Sequence, residues 1–307
     1  MKGSDFTQGK HLEVKALIVD KKFFSGNHKL TDCIEDYPEG IIIPIDKPYR
    51  WTSADVIRKV KWAACRHFNK KNLKVGHAGT LDPLATGVLL VCIGKATKMA
   101  ETLQKEGKEY LAGISFGATT PSYDLEKAID REYSVEGVTE QSIREVLPQF
   151  LGVQEQIAPL FSAKSIDGVR AYELAREQYR KAKKEKTEVM TDFDHTVAET
   201  LNKQTINISE IESLSFFPNG KDSEPECMAN DLRPNPRINV IDVSAMHLPL
   251  AMIRVACSKG TYIRALARDI GEALGSGAHL NSLKRTRSGG FNVENALSVT
   301  QAAEILL

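Results

Sequence analysis

The segment "KVGHAGTLDPLATGVLLVCIGKATK" spans residues 74–98 and contains a single acidic residue, Asp82, which is followed by Pro83. Glycines lie on both sides of this carboxylate, and the apolar run at residues 87–94 predicts a buried strand. An Asp-Pro pair fits the start of a helix, with aspartate as the N-cap. A carboxylate on a glycine-flanked loop beside basic segments also suits a nucleophile or base that acts on RNA or DNA. The glycine spacing matches neither a dinucleotide fingerprint nor a P-loop, which disfavours a nucleotide cradle.

Length and composition indicate a globular protein of one large domain or two ordinary ones. The chain has 307 residues, of which 42% are hydrophobic and 26% charged. No apolar run approaches the roughly 20 residues that span a bilayer, and the polar N-terminus does not resemble a signal peptide, so we predict a cytoplasmic protein. The five scattered cysteines form no C-x-x-C pair. This pattern favours reduced thiols in a cytosol and argues against a zinc site, and the seven histidines show no ligand spacing, so we expect no metal.

The charge of the chain is unevenly distributed. The net charge is +1, but residues 40–110 hold 13 Lys and Arg against 6 Asp and Glu, and residues 254–291 hold 7 against 2. Residues 121–250 hold 15 against 23. Solvated helices can produce such blocks without any partner. If the fold brings the two basic blocks together, however, they form a positive face that suits a phosphate backbone.

Hydrophobic periodicity predicts a mixture of helices and strands. Residues 52–68 predict a helix capped by Ser53, and the other predicted helices are residues 96–105, 139–150 and 261–275, the last ending at Gly275. The predicted strands are residues 40–48, 87–94, 108–117, 203–217, 237–246 and 249–258, and residues 161–178 predict a strand, a turn and a helix. Because several strands follow one another without helices, we predict an α+β fold with a mixed, mainly antiparallel sheet flanked by helices and loops.

The chain divides into a main domain with additions. We predict an N-terminal extension at residues 1–38 that packs on the core through an edge strand within residues 11–22. The main domain is residues 39–295, and a C-terminal helix occupies residues 296–307. Residues 179–202 are dense in charge and residues 218–237 are rich in Pro, Asn and acids, so both predict surface insertions.

Five segments resemble, in the same order, the signature motifs of the TruB family of pseudouridine synthases. The opening segment resembles the G-x-LDPxA(T/S)G loop that carries the catalytic aspartate of that family. The other segments are IPIDKPYRWTSADVIRKVK (43–61), KEYLAGISFGATTPSYDLE (108–126), IAPLFSAKSIDGVRAYELAR (157–176) and VACSKGTYIRALARDIGEALGSGAHLNSLKRTRSGGF (255–291). Agreement at five ordered segments indicates membership of the family.

The resemblance implies the pseudouridine-synthase fold and the isomerisation of uridine 55 in the T-arm of tRNA, without a cofactor or metal. It implies that Asp82 is the catalytic carboxylate, that Tyr110 stacks on the uracil and that Arg264 orients Asp82. It also implies that His77 lies against the RNA. We expect four further RNA contacts, at Lys98, Lys284, Arg285 and Arg287. A flipped base costs a few kcal/mol in lost stacking, which an aromatic platform partly offsets.

The sequence departs from the family pattern in places. Ala158 replaces a usual proline, Phe161 replaces a common tyrosine, and Tyr49-Arg50-Trp51 replaces a small Gly-containing turn. Only a short helical stretch follows the last motif, so we expect no C-terminal PUA domain. The expected partner is the T-arm stem-loop of tRNA, bound by a monomer without an obligate protein partner. Two alternatives remain open: a guide-RNA-dependent pseudouridylase subunit and a non-catalytic RNA-folding helper.

Overall fold

A computed structural model describes residues 15–159, 165–166, 169–170, 203–220 and 232–307. The helix predicted within residues 161–178, the insertion predicted at 179–202 and most of the insertion predicted at 218–237 lie outside the described residues. In the part that is described, no helix is both long and apolar enough to cross a membrane.

The described strands and helices are short to medium in length. The strands are β1 Leu17–Ile18, β2 Ile41–Lys47, β3 Val75–His77, β4 Ala85–Ile93, β5 Lys108–Phe116, β6 Ala118–Thr119, β7 Arg131–Glu132, β8 Gly152–Gln156, β9 Ser165–Ile166, β10 Val169–Arg170, β11 Gln204–Phe217, β12 Leu250–Cys257, β13 Ala278–Ser288 and β14 Phe291–Asn292. The helices are α1 Lys21–Ser25, α2 Ser53–His67, α3 Ala100–Lys105, α4 Glu140–Val146, α5 Ile263–Ala273 and α6 Val299–Ile305. Short 3₁₀ turns, such as Gly94–Met99, connect several of them.

Ten of the described strands form one sheet. Its order is β1-β2-β4-β13-β5-β12-β11-β8, with β3 paired to β4 and β14 paired to β13. The pairs β1–β2 and β4–β13 are parallel, and the other described pairs in this sheet are antiparallel. The predicted α+β fold with a mixed, mainly antiparallel sheet is therefore confirmed.

The core lies on both faces of this sheet. Ile41, Ile43 and Ile45 of β2 pack into a large cluster that includes the buried side of α2, whereas Ile42 packs into a second cluster on the other face. Strand β4 divides its apolar residues between the same two clusters. Successive side chains of a strand point to opposite faces, so a strand that is apolar throughout is buried on both sides. This burial explains the unbroken apolar runs in the sequence.

The prediction of a strand at residues 237–246 is wrong. These residues form no strand, and only Ser244–Met246 makes a 3₁₀ turn. The neighbouring strand β12 is already paired on both sides, with β5 and with β11, so it offers no free edge. The Ile241 amide instead donates to the Leu125 carbonyl at 2.9 Å. Tertiary contacts therefore override an alternating pattern.

Sequence analysis also missed β13, which occupies the middle of the sheet. Its residues AHLNSLKRTRS are largely polar, and two register shifts interrupt its pairing with β5. A polar strand with bulges gives no clear period-2 signal. Because β13 lies between β4 and β5, it joins the two basic blocks of the sequence in one sheet.

Candidate active site

Asp82 lies in a tight turn that leads into β4. The Ala85 amide donates to the Asp82 carbonyl at 3.1 Å, which places Pro83 at the second position of the turn. No helix begins here, so the N-cap interpretation of the Asp-Pro pair is wrong. The side chain of Asp82 is 38% exposed, which leaves its carboxylate accessible to a substrate.

Arg264 binds this carboxylate with two hydrogen bonds. Its Nε donates to Oδ2 of Asp82 at 2.8 Å and its Nη2 donates to Oδ1 at 3.3 Å. Helix α5 holds Arg264 near its N-terminus, where the side chain is buried. Although burial disfavours its charge, the carboxylates of Asp82 and Asp124 raise the pKa of Arg264. A planar guanidinium that binds both oxygens fixes the orientation of a carboxylate more tightly than a single bond does.

A second carboxylate, Asp124, completes the arrangement and was missed by sequence analysis. Its Oδ2 lies 3.7 Å from Nε of Arg264, and its side chain is 7% exposed. Ser122 donates to Oδ1 of Asp124 at 2.6 Å, and the Ser122 carbonyl accepts from Nη1 of Arg264 at 3.0 Å. Burial raises the pKa of Asp124, and Arg264 opposes that rise. Asp124 is the only aspartate of the segment at 108–126, and it stands where the family motif also ends in aspartate, which is the signal that could have identified it.

Tyr110 lies on β5, next to the same charged groups. The residue is buried, and burial raises the pKa of Tyr110, so its phenol stays protonated at neutral pH. Arg285 lowers that pKa through its charge and a hydrogen bond, and Asp82 is near enough to raise it. Strand register supports this neighbourhood, because Tyr110 is directly opposite Arg285. The structure therefore brings Asp82, Tyr110 and Arg264 together, as the sequence predicts.

Buried side chains bind the backbone of the Asp82 loop along its length. Lys47, which is fully buried, donates to the Pro83 carbonyl at 3.3 Å and to the Trp51 carbonyl at 2.6 Å. The Ser53 hydroxyl donates to the Leu81 carbonyl at 3.2 Å and accepts from the Leu81 amide at 3.0 Å. Ser53 thus anchors the loop instead of capping α2.

The predicted N-cap of α2 is consequently one residue out. Thr52 accepts from the Asp55 amide at 3.0 Å, and Asp55 accepts in return from the Thr52 amide at 3.0 Å. These reciprocal bonds form a capping box, which satisfies the free amides at the start of the helix. Thr52 therefore caps α2, whereas Ser53 binds the Asp82 loop.

Gly87 allows β4 to approach β13 closely. Its φ is +100°, and a Cβ at this position would lie 2.2 Å from the carbonyl oxygen of Arg285. A side chain there would separate the two strands and strain the backbone. The glycine thus places Arg285 directly beside the turn that carries Asp82.

Arg285 departs from its predicted role as an RNA contact. The residue is 1% exposed, and its guanidinium donates to the carbonyls of Val88 at 2.8 Å, Gly79 at 3.2 Å and Thr80 at 3.3 Å. A buried guanidinium bonded to backbone oxygens has no donor facing a phosphate. Arg285 is instead a structural brace of the Asp82 loop, because β13 inserts it into the sheet between β4 and β5.

The other predicted RNA contacts lie in different surroundings. His77 is half-buried on β3, and burial, followed by the charge of Arg285, lowers the pKa of its imidazole. Lys98 is exposed in the 3₁₀ turn after β4. Lys284 is half-buried, and its charge partly offsets the burial that raises the pKa of Asp46. Arg287 is half-exposed and lies 4.0 Å from Glu109. Their contact with RNA stays a prediction.

We expect Arg285→Met to destabilise the protein without changing the electrostatic part of RNA binding. The variant leaves three carbonyls without donors, at roughly 1–3 kcal/mol for each buried group. The free energy of unfolding should therefore fall by roughly 3 kcal/mol or more in denaturant titrations. Arg287→Met is the matched control on the same strand, since an exposed ion pair contributes about 0–1 kcal/mol. If Arg285→Met reduced the salt dependence of tRNA binding and left stability unchanged, Arg285 would contact RNA and would not be a structural brace of the Asp82 loop.

Comparison with known proteins identifies the family to which the chain belongs. The model of the TruB family pseudouridylate synthase N-terminal domain matches residues 66–219, and that of the tRNA pseudouridylate synthase B C-terminal domain matches residues 264–306. A protein of Phocaeicola vulgatus named tRNA pseudouridine synthase B is 46% identical over 88% of this chain and 95% of its own length. The chain belongs to the TruB family of pseudouridine synthases. The TruB relative of Deinococcus radiodurans, which has the same name, is 36% identical over 86% of this chain and 78% of its own length.

Solved structures share the fold of this TruB-family chain. A structure titled as an H/ACA ribonucleoprotein bound to a substrate RNA containing 2′-deoxyuridine contains a chain with a TM-score of 0.51 and 25% identity. The match covers 87% of this chain and 53% of the solved chain. A Cbf5-Nop10-Gar1 complex gives a TM-score of 0.51 at 27% identity, over 84% and 52% of the two chains. The TruB-family chain thus spans about half the length of each solved chain.

Proposed function

We propose that this chain isomerises uridine to pseudouridine in tRNA, at position 55 of the T-arm. The observation that carries this proposal is the two-bond contact of Arg264 with Asp82, two residues that lie 182 positions apart in the sequence. Membership of the TruB family supports tRNA as the substrate. Relatives named tRNA pseudouridine synthase B match this chain over most of their own length. The protein would act in the cytoplasm as a monomer.

The proposed division of labour follows from the surroundings of each residue. A base cannot be isomerised while it is stacked, so the uridine must flip out of the RNA to reach Asp82. Asp82 is the exposed carboxylate and acts on the flipped uridine, either by covalent attack or by assisting cleavage of the glycosidic bond. Tyr110 is the aromatic platform with a protonated phenol. Arg264 is a positioning residue because it acts through Asp82, and the buried Asp124 is one because it acts through Arg264.

A guide-RNA-dependent activity is the second candidate function, because the solved structures with this fold include an H/ACA ribonucleoprotein. Most of the length of the curated relatives is matched by this chain, whereas only about half of the solved chains is matched. This difference favours a chain that needs no guide RNA.

We expect the purified chain alone to modify an isolated T-arm stem-loop. The two basic blocks meet in the sheet around Asp82, so RNA close to the target should provide most of the grip. Release of tritium from C5-labelled uridine measures turnover, and whole tRNA should give a rate constant within about tenfold of that of the stem-loop. A stem-loop with cytidine at the target position is the control.

Two results would contradict the proposal. A chain that modifies whole tRNA but leaves the stem-loop inert would show that recognition lies outside the T-arm. Turnover that appears only after a guide RNA and partner proteins are added would favour the second candidate function.

A further inference from the structure

A large groove lies beside the Asp82 turn and is not used by the proposed chemistry. It has a volume of about 940 Å³, near the upper end of the roughly 300–1,000 Å³ that is usual for ligand sites. One wall is the exposed side of α2, and the opposite wall is residues 233–238. Pro83 and Glu126 also line it, so the groove extends to the residue after Asp82 and to two residues after Asp124. The cavity formed directly by Asp82, Asp124 and Arg264 is only about 10 Å³.

Residues 233–238 are held against α2 by specific hydrogen bonds. Nε1 of Trp51 donates to the Arg233 carbonyl at 3.1 Å, and Nη2 of Arg50 donates to the Ile238 carbonyl at 2.9 Å. Between them, Nδ2 of Asn235 donates to Oδ2 of Asp55 at 3.1 Å. These contacts use the side chains of Arg50 and Trp51 but only the backbones of Arg233 and Ile238.

The turn that makes these contacts is where the sequence departs from its family. Arg50 has a φ of +56°, a left-handed conformation that glycine adopts without strain. It stands where the family pattern has the glycine of its small turn. A non-glycine residue persists in such a conformation when the surrounding structure compensates for the strain. Here the bond from Arg50 to Ile238, and the bond from the Asn235 amide to the Arg50 carbonyl at 3.0 Å, provide that compensation.

The charge of the groove favours an anionic ligand. Arg58, Lys59, Arg233 and Arg237 line it and are exposed. Of its two acidic residues, Asp55 is paired with Arg58 at 3.1 Å. The other, Glu126, is paired with Lys127 at 3.2 Å. Arg58 and Lys127 neutralise these two carboxylates, so Lys59, Arg233 and Arg237 give the lining its excess positive charge.

The groove also presents an aromatic surface. Trp62 lines it with 50% of the residue exposed, and the guanidinium of Arg66 lies 4.8 Å from its ring centre. An exposed indole beside several cations is the combination that binds unpaired nucleotides, through stacking on the base and attraction to the phosphate. An acidic peptide would be attracted by the cations but would not need the exposed indole, and a small metabolite would not fill a groove of this size.

We propose that this groove is a second RNA-binding surface, which holds the tRNA backbone and one unpaired base beside the nucleotide that reaches Asp82. The proposal rests on the proposed function for the identity of the RNA. Residues 233–238 form one wall of the site, and Arg50 keeps that wall in place. The groove therefore contributes to substrate affinity and leaves the chemical step to the residues around Asp82.

Variants of α2 test this role with a matched control on the same helix. Trp62→Ala should raise the Kd and KM for whole tRNA roughly tenfold, whereas Trp62→Phe, which keeps an aromatic face, should restore most of the affinity. Lys59→Ala combined with Arg237→Ala should reduce the slope of log Kd against log salt by about 0.7–0.9 per cation removed. The control, Lys61→Ala, removes an equally exposed lysine that does not line the groove and should change neither value. Turnover at saturating tRNA should stay within about twofold throughout.

A further variant tests the wall itself. Arg50→Gly relieves the backbone conformation but removes the bond to Ile238, so KM should rise several-fold while thermal stability changes little. Filter binding measures the Kd for tRNA without turnover, so it tests the role of the groove in binding independently of catalysis. If the wild type modifies tRNA while the Trp62 and Lys59/Arg237 variants bind it as Lys61→Ala does, the groove proposal fails and the proposed function stands. A wild type that binds tRNA through the groove but releases no tritium would refute the proposed function alone.

Discussion

Replacing Asp82 with asparagine is expected to reduce turnover by roughly 10³-fold or more while tRNA remains bound. The amide keeps the shape of the side chain but can act neither as a nucleophile nor as a base, and positioned groups of this kind contribute about 10²–10⁴-fold. The fold should survive the change, because Asp124 still provides a carboxylate 3.7 Å from Nε of Arg264. Tritium release from C5-labelled uridine measures the rate, and filter binding measures the affinity.

A matched control separates loss of chemistry from loss of structure. Asp269→Asn makes the same chemical change on α5, where Asp269 pairs with Arg268 at 2.6 Å instead of with Arg264. This variant should retain activity within about threefold. Turnover by Asp82→Asn within tenfold of the wild type would end the assignment of Asp82 as the catalytic carboxylate.

Arg264→Lys is expected to reduce turnover roughly 10²-fold, although the positive charge is conserved. An ammonium cannot bond both carboxylate oxygens in the plane of the guanidinium while also donating to the Ser122 carbonyl. The carboxylate would then lose its fixed orientation, and catalysis depends strongly on small displacements of the reacting groups. Because Arg264 acts through Asp82, kcat should fall more than KM rises.

Arg268→Lys provides the comparison for this prediction. Arg268 lies one turn further along α5 and bonds to Asp269, with its guanidinium 5.1 Å from the ring centre of Tyr123. The same substitution there should change kcat by less than about threefold. A near-normal kcat in Arg264→Lys would show that the site requires only a positive charge, and the two-bond geometry would then have no catalytic role.

Part of the site was visible in the sequence because five segments resemble the motifs of the TruB family, so that the roles of the family's residues could be assigned to matching positions. The pattern around Asp82, the tyrosine near the start of β5 and the arginine near the start of α5 predicted three residues that the structure brings together. Asp124 was present in a quoted motif, but its role depends on its position behind Arg264. That position follows from the turn at residues 120–124, where Thr120 and Ser122 hold the Asp124 backbone and side chain.

The sequence by itself determined the class of the fold, and its resemblance to the TruB motifs identified the candidate catalytic residues. Apolar runs of strand length predicted β2, β4, β5 and β12, and the amphipathic patterns predicted α2 and α5, because burial on one or both sides leaves a periodic signal in the residues themselves. These features depend on local composition, so they could be read without coordinates.

The tertiary structure alone decided which charged residues face solvent and which brace the interior. Lys284, Arg285 and Arg287 are neighbours of similar type, yet only Arg285 is enclosed, because Gly87 lets β13 approach β4 at that point. Likewise, Arg50 and Trp51 reach residues 233–238 across more than 180 positions of sequence. Such outcomes depend on strand order and on long-range hydrogen bonds, and neither leaves a periodic trace in the chain.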